Sequence, residues 1–233
     1  MAEIGYGYGS ECHLLRWMGR HGQLLRDKIA ELVGVPAGGI EFLDFNFKPG
    51  KLWPDKELKG LDFLPDNHPA RIAWDDYWPQ TGNVQNWDAV CKLAAGPNEE
   101  WLLIEAKAHL RELQSTCGAK ERGGLPQIRR AFEATIEHLN IDARVDSWLS
   151  PYFQHANRLA VLSFLHRQRI TTRLLNVYFV GDVNGQGRVS PQTRSEWLTP
   201  LKNQDDALGL SNGHALAPFV HKLLLNVASS DEP

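Results

Sequence analysis

Two charged residues inside an otherwise apolar run constrain this chain more than any other feature. Residues 101–109 read Trp-Leu-Leu-Ile-Glu-Ala-Lys-Ala-His, the pattern of a buried strand interrupted by Glu105 and Lys107. Alternate residues of a strand share a face. Leu103, Glu105, Lys107 and His109 therefore line one side, and Leu102, Ile104, Ala106 and Ala108 line the other, which is apolar enough to bury. Taking a carboxylate or an ammonium out of water costs several kcal/mol. Such charges must be paired, metal-bound or used for chemistry.

A second apolar run, residues 87–93, precedes the first. Ala94-Ala95-Gly96-Pro97-Asn98 separates the two, and its Gly-Pro-Asn core signals a turn. Two strands around a short loop predict a hairpin. Antiparallel pairing brings the start of the first strand to the end of the second, setting Asp88 beside Glu105 and Lys107. Hard divalent cations take a few carboxylate oxygens and keep several waters. A lysine close by can orient a nucleophilic water or steady developing negative charge. The arrangement suits hydrolysis of a phosphodiester.

Asp88 followed by Glu105-Ala106-Lys107 resembles the active-site signature of the PD-(D/E)xK nuclease superfamily, which contains restriction endonucleases and archaeal Holliday-junction resolvases. The resemblance implies an α/β protein with a restriction-endonuclease-like αβββαβ core, a mixed central sheet flanked by helices, and here added C-terminal helices. It implies Asp88 and Glu105 as ligands of Mg2+ or Mn2+ and Lys107 as the group that positions or activates water. A further acid is expected on a helix preceding the sheet. Glu11, following Gly7-Tyr8-Gly9-Ser10, fills that place. Trp87 stands where the family often has proline. The implied polymer partner is nucleic acid, DNA before RNA. The alternative is a non-catalytic member of the same fold that binds nucleic acid or a protein.

An acid-x-lysine triplet alone carries little weight. Glu57-Leu58-Lys59 has the same spacing but follows a polar stretch broken by Pro54. Pro54-Asp55 and Pro65-Asp66 are literal Pro-Asp pairs, yet neither introduces a strand that would pair with residues 101–109. Context singles out the Asp88 set. Against it stands a structural reading in which Lys107 pairs with Glu105 or Asp88 in a partly buried ion pair and nothing binds. Against Glu11 stands the general preference for acids in a helix's first turn.

With 233 residues and 42% hydrophobic content, the chain can bury a core as a single domain. That core is expected over about residues 10–182, with a helical extension over about 190–228. A helix is predicted for residues 10–33, an extra strand for 40–47 and an edge strand for 71–77. A loop or short helix is predicted for 112–124 and a helix for 126–140. Another helix should start at Ser150-Pro151, proline suiting the first helical position. Residues 172–180 read as a buried strand, and 195–201 and 214–227 as short outer helices.

His109, Lys120, Arg122, Arg129, Arg130 and Gln154 are candidates for substrate contact. Gln154, Asn157 and Arg158 lie at helical spacing. Exonuclease-type relatives place a glutamine similarly, although such a trio more often faces solvent. Net charge is −3, so any nucleic-acid surface must be a local basic patch. Arg16, Arg20, His21 and Arg26 could form a second basic strip. His13, His21, His109 and His155 combine with no cysteine pair at zinc-site spacing. Cys12, Cys91 and Cys117 suggest reduced thiols and a cytoplasmic home. No export signal or membrane span is recognisable. Trp53, Trp74, Trp78 and Trp87 precede the site; they can stack bases, but core packing is their commoner use. The oligomeric state stays open, a homodimer among the options.

Overall fold

The structure, a computed structural model, describes residues 7–43, 57–82, 84–96, 99–183 and 189–228. The chain opens with α1 (Ser10–Arg20) and α2 (Gly22–Val33). It continues through β1 (Ile40–Phe42), β2 (Leu58–Lys59), α3 (Pro69–Tyr77), β3 (Asn86–Trp87), β4 (Ala89–Leu93) and β5 (Glu100–Lys107). Three helices follow, α4 (Leu125–Leu139), α5 (Val145–Leu149) and α6 (Phe153–Arg167). The last elements are β6 (Thr172–Val180), α7 (Arg194–Ala207) and β7 (Val220–Asn226).

Five strands form one mixed sheet in the order β1-β4-β5-β6-β7. The first three are antiparallel neighbours, and β5, β6 and β7 run parallel. Parallel neighbours need a long crossover, and α4 to α6 supply it between β5 and β6. A separate small ribbon pairs β2 with β3, Leu58 opposite Trp87.

Strand alternation distributes the core to both faces. Leu102, Ile104 and Ala106 of β5 join α1 and α2 in one apolar layer. Trp101 and Leu103 join α3 to α6 in the other. Leu102, Leu103 and Ile104 are wholly buried, each contributing about 1.5–3 kcal/mol. That sum is of the same order as the several kcal/mol that each ionisable group on the strand costs, a cost the pairing of Glu105 with Lys107 and Arg158 further offsets. β5 is therefore held by its apolar residues and can carry Glu105 and Lys107 toward α6.

Several sequence expectations are corrected. The single helix over residues 10–33 is two, because His21 leaves the helical region (φ −125°, ψ 28°) just before Gly22, a poor helix former. Both halves then lay their apolar stripes on one sheet face. The edge strand over 71–77 is helix α3. Pro69 starts it, the His68 ring accepts a hydrogen bond from the Ala70 N–H, and buried Ala70 and Trp74 are four residues apart with exposed Ile72 between them.

Ser150-Pro151 does not start a helix. Residues 149–153 instead hydrogen-bond to residues 115–117, and α6 begins at Phe153. The outer helix over 214–227 is a short 3-10 turn followed by β7, which completes the central sheet beside β6. Tertiary pairing there overrides the helix propensity of Lys222, Leu223 and Leu224. The C-terminal part is thus one helix and one sheet strand, not a helical extension. Of the extra strand over 40–47, β1 covers Ile40–Phe42, and 44–47, like Trp53, lie outside the described residues.

Candidate functional site

Asp88 occupies the step between β3 and β4. Its N–H donates to the Ile104 carbonyl at 3.1 Å, and its Oδ2 accepts the Ala106 N–H at 2.6 Å. Together with the pairing of Ala89 to Ile104, these bonds set Asp88 beside Glu105 and Lys107. The hairpin pairing expected from the sequence is therefore present, with β4 starting at Ala89 and β5 running from Glu100 to Lys107.

Glu105 is 4% exposed and carries four polar contacts. Oε1 accepts the Lys107 ammonium and the Gln154 amide, the latter at 2.8 Å. Oε2 accepts Arg158 through Nε at 2.8 Å and lies 2.7 Å from Nη2. Arg158 is itself fixed: Nη2 donates to the Asn86 carbonyl at 2.7 Å, Nη1 to Asn157 Oδ1 at 2.8 Å, and the guanidinium lies 4.8 Å from the centre of the Trp87 ring. These bonds sit on α6, which is buried from His155 to Leu165 and nearly all apolar from Leu159 on.

The two carboxylates differ in electrostatics. Burial pushes the Asp88 carboxyl up, the neighbouring Glu105 pushes it further, and Lys107, the Ala106 N–H and Arg158 only partly oppose, leaving it at about 7. Burial also raises Glu105, but Arg158 and Lys107 outweigh it and hold its carboxyl below the usual value. Near neutral pH Glu105 is ionised and Asp88 sits at the edge of ionisation. Environments that drive two acids apart in this way are a mark of functional sites, though ion-pair networks produce them as well.

Asp88, Glu105, Lys107, Gln154 and Arg158 all line one cavity of about 720 Å³. Residues 115–119 form part of its wall. Ser115 exchanges backbone hydrogen bonds with Pro151 and Phe153, its Oγ accepts the Gln154 N–H at 2.7 Å, and Cys117 N–H donates to Leu149. The same loop thus closes the cavity and fixes the start of α6.

Other candidates lie elsewhere. Glu11 is exposed in the first turn of α1 and does not line the cavity, whereas its neighbour Ser10 does. His109 is buried beside Glu112, 3.6 Å away, and is not in the cavity wall. Lys120, Arg122 and Arg130 are exposed; Lys120 follows wall residue Ala119, and Arg122 and Arg130 each lie two positions from one, Gly124 and Ile128. Arg129 is committed to Asp146 at 2.9 Å.

Sequence reasoning weighed Gln154, Asn157 and Arg158 as a trio that more often faces solvent; all three instead line the cavity, and the ion pair of Arg158 with Glu105 was not foreseen. Its signal was the four-residue spacing from Gln154 on a helix with no polar face. Glu57 and Gln85 were missed as wall residues. Extending the Leu58–Trp87 register sets Glu57 opposite Asp88. Glu112 is the acid that joins α1 to the end of β5: it accepts Ser10 Oγ at 2.9 Å and the Ala108 and His109 N–H groups.

Among the described residues no group of three or more His, Cys, Asp or Glu is placed to hold a metal ion. A hard divalent ion needs less, since Mg2+ binds through one or two carboxylates together with waters and substrate phosphates. The donor set fits on that basis. Asp88 takes one hydrogen bond, at Oδ2, leaving lone pairs free, and Glu105 is an ionised second carboxylate whose oxygens would have to be shared with Lys107, Gln154 and Arg158. Comparison of the chain with known families, with curated proteins and with solved structures finds no match.

Proposed function

We propose that this protein is a metal-dependent nuclease hydrolysing phosphodiester bonds in DNA, on a restriction-endonuclease-like core of the PD-(D/E)xK type. The order helix, three strands, helices, strand, given by α1 and α2, β1, β4, β5, α4 to α6 and β6, supports the fold assignment. The observation that carries the function is Asp88: a carboxylate in a cavity wall, beside a second carboxylate and a lysine, with one hydrogen bond and a raised pKa. The three widely spaced cysteines, Cys12, Cys91 and Cys117, offer no paired disulfide framework in the sequence, which suits a cytoplasmic setting. No helix among the described residues is long and apolar enough to cross a membrane.

In this reading Asp88 and Glu105 hold Mg2+ or Mn2+, which when bound supplies Lewis-acid polarisation of the phosphate and an acidified water. Lys107 orients the attacking water and offsets the negative charge that develops on the phosphoryl oxygens. Arg158 and Gln154 hold the Glu105 carboxylate in place and keep it ionised. Lys120 and Arg122 meet backbone phosphates at the cavity rim.

The test is a side-by-side assay of plasmid, single-stranded DNA, RNA and small nucleotide diesters with Mg2+. Cleavage that disappears in both Asp88→Asn and Lys107→Met is expected; cleavage unchanged in Asp88→Asn would falsify the assignment.

A second reading has its own observation. Both Glu105 oxygens are already occupied by Arg158, Lys107 and Gln154, which also describes a closed structural network in a non-catalytic protein that binds nucleic acid or a protein. Under that reading neither Mg2+ nor Mn2+ binds with an affinity that Asp88→Asn changes.

A further inference from the structure

Two of the reacting groups assigned above are recessed, while Asp88 is partly exposed in the same cavity wall. The side chains of Glu105 and Lys107 are only 6% and 13% exposed. A cavity of about 720 Å³ falls in the range of about 300–1,000 Å³ that encloses small ligands. An intact duplex presents its phosphates on a broad cylinder and fits such a cavity poorly, whereas a nucleotide turned out of the stack enters an enclosing pocket, as enzymes that act on extruded nucleotides demonstrate.

The cavity wall has the chemistry for a base. Trp78, Val84, Ile128 and Phe153 give it apolar and aromatic surface on the same cavity as the carboxylates. Gln85 is the anomaly. It lines this cavity, is 2% exposed, and neither its Nε2 nor its Oε1 has a hydrogen-bond partner. Buried amides are satisfied in the large majority of native proteins, so an amide with both ends open calls for a ligand that offers a donor and an acceptor side by side. The edge of a nucleobase does so, and glutamine is one of the side chains that pairs with it in two bonds. Both amide atoms are buried in the wall, so pairing with a base requires the side chain to turn about its three torsions into the cavity.

Surface charge points the same way. Proteins that grip duplex DNA neutralise on the order of 6–10 phosphates. Here the formal charge is −3, and among the described residues the exposed cations within two positions of a wall residue include Lys59, Lys120, Arg122 and Arg130. That suffices for a short length of one strand.

We propose that the cavity receives an unpaired nucleotide with its base held against Gln85, making single-stranded DNA, and not the intact duplex, the substrate. The proposal rests on the nuclease reading for its reaction, but its binding half can be measured without turnover.

The decisive experiment titrates the full-length protein with deoxynucleoside 5′-monophosphates and with deoxyribose 5-phosphate, in wild type and in Gln85→Met. Wild type should bind at least one nucleotide about tenfold more tightly than the abasic sugar phosphate. Gln85→Met should lose that margin and the differences among bases, with no fall in melting temperature, because the amide it removes has no protein partner. Equal binding of nucleotide and sugar phosphate, or base discrimination intact in Gln85→Met, overturns the proposal.

Cleavage of matched oligonucleotides adds a second arm, with single strands expected at least tenfold faster than duplex. Equal rates on both forms sink the inference and leave the nuclease reading standing. Base-selective binding that depends on Gln85 in a protein that cuts neither form supports the inference and sinks the nuclease reading.

Discussion

Glu57-Leu58-Lys59 and Glu105-Ala106-Lys107 have the same spacing and contribute to the same cavity, yet they are in different physical states. β2 is two residues long and pairs only with β3, so Glu57 is half-buried and Lys59 is exposed. β5 is eight residues long and paired on both sides, and it delivers Glu105 beneath α6, where Arg158, Lys107 and Gln154 close around it. What distinguishes the two triplets is the strand each rides on. A central strand, stabilised by its apolar residues, carries its charges to where they need partners; an edge ribbon leaves them in water.

The sharpest way to break this contrast is to remove a partner. Arg158→Met leaves Glu105 buried with one cation fewer and should cost about 3–5 kcal/mol in urea unfolding. Lys59→Met should change stability by about 0.5 kcal/mol or less. If the two substitutions cost the same, Glu105 is not the buried charge described here.

Next comes the pH dependence of Asp88. Its folded pKa of about 7 lies above the ordinary 3.8, so the folded protein holds a proton there that the unfolded chain has already released. The associated stability is fully present below pH 3.8 and is lost as pH rises through about 7. Asp88→Asn removes this titration. Its stability relative to wild type should therefore grow between about pH 4 and pH 8, by on the order of 3 kcal/mol. A difference that is flat with pH contradicts the placement of Asp88 against Glu105.

A smaller effect is expected for Gln154→Leu, which removes one neutral donor from an ionised acceptor and should cost about 1.5–3 kcal/mol by chemical denaturation. The smallest is Glu57→Gln, expected to fall within about 0.5 kcal/mol of wild type at pH 7. A larger loss there would mean that the short ribbon holds a charge partner after all.

Legibility in the sequence followed the same division. Residues 172–180 were readable as a strand because β6 is buried on both faces and reads as a continuous apolar run. The meeting of Asp88 with Glu105 was readable because a hairpin is local and its turn residues announce it. α3 was not, since Arg71 to Tyr77 mixes apolar and polar residues and the helical spacing of Ala70 and Trp74 emerges only once Pro69 is taken as the start. β7 was not, because its partner β6 lies some forty residues earlier and nothing local reveals the pairing. Arg158 and Gln85 are the same problem at the site. One is an arginine on an apolar helix and the other a glutamine next to a two-residue strand. Each acquires meaning only from neighbours that the fold brings from far along the chain.

The central claim is that Asp88 and Glu105 together form a divalent-ion site, and calorimetric titration with Mn2+ at pH 8, where Asp88 is mostly ionised, tests it most directly. The account predicts saturable binding of one ion per chain in wild type and loss of that binding in Asp88→Asn, with the fold intact by circular dichroism. Heat of binding identical in the two proteins, or absent from wild type, contradicts it.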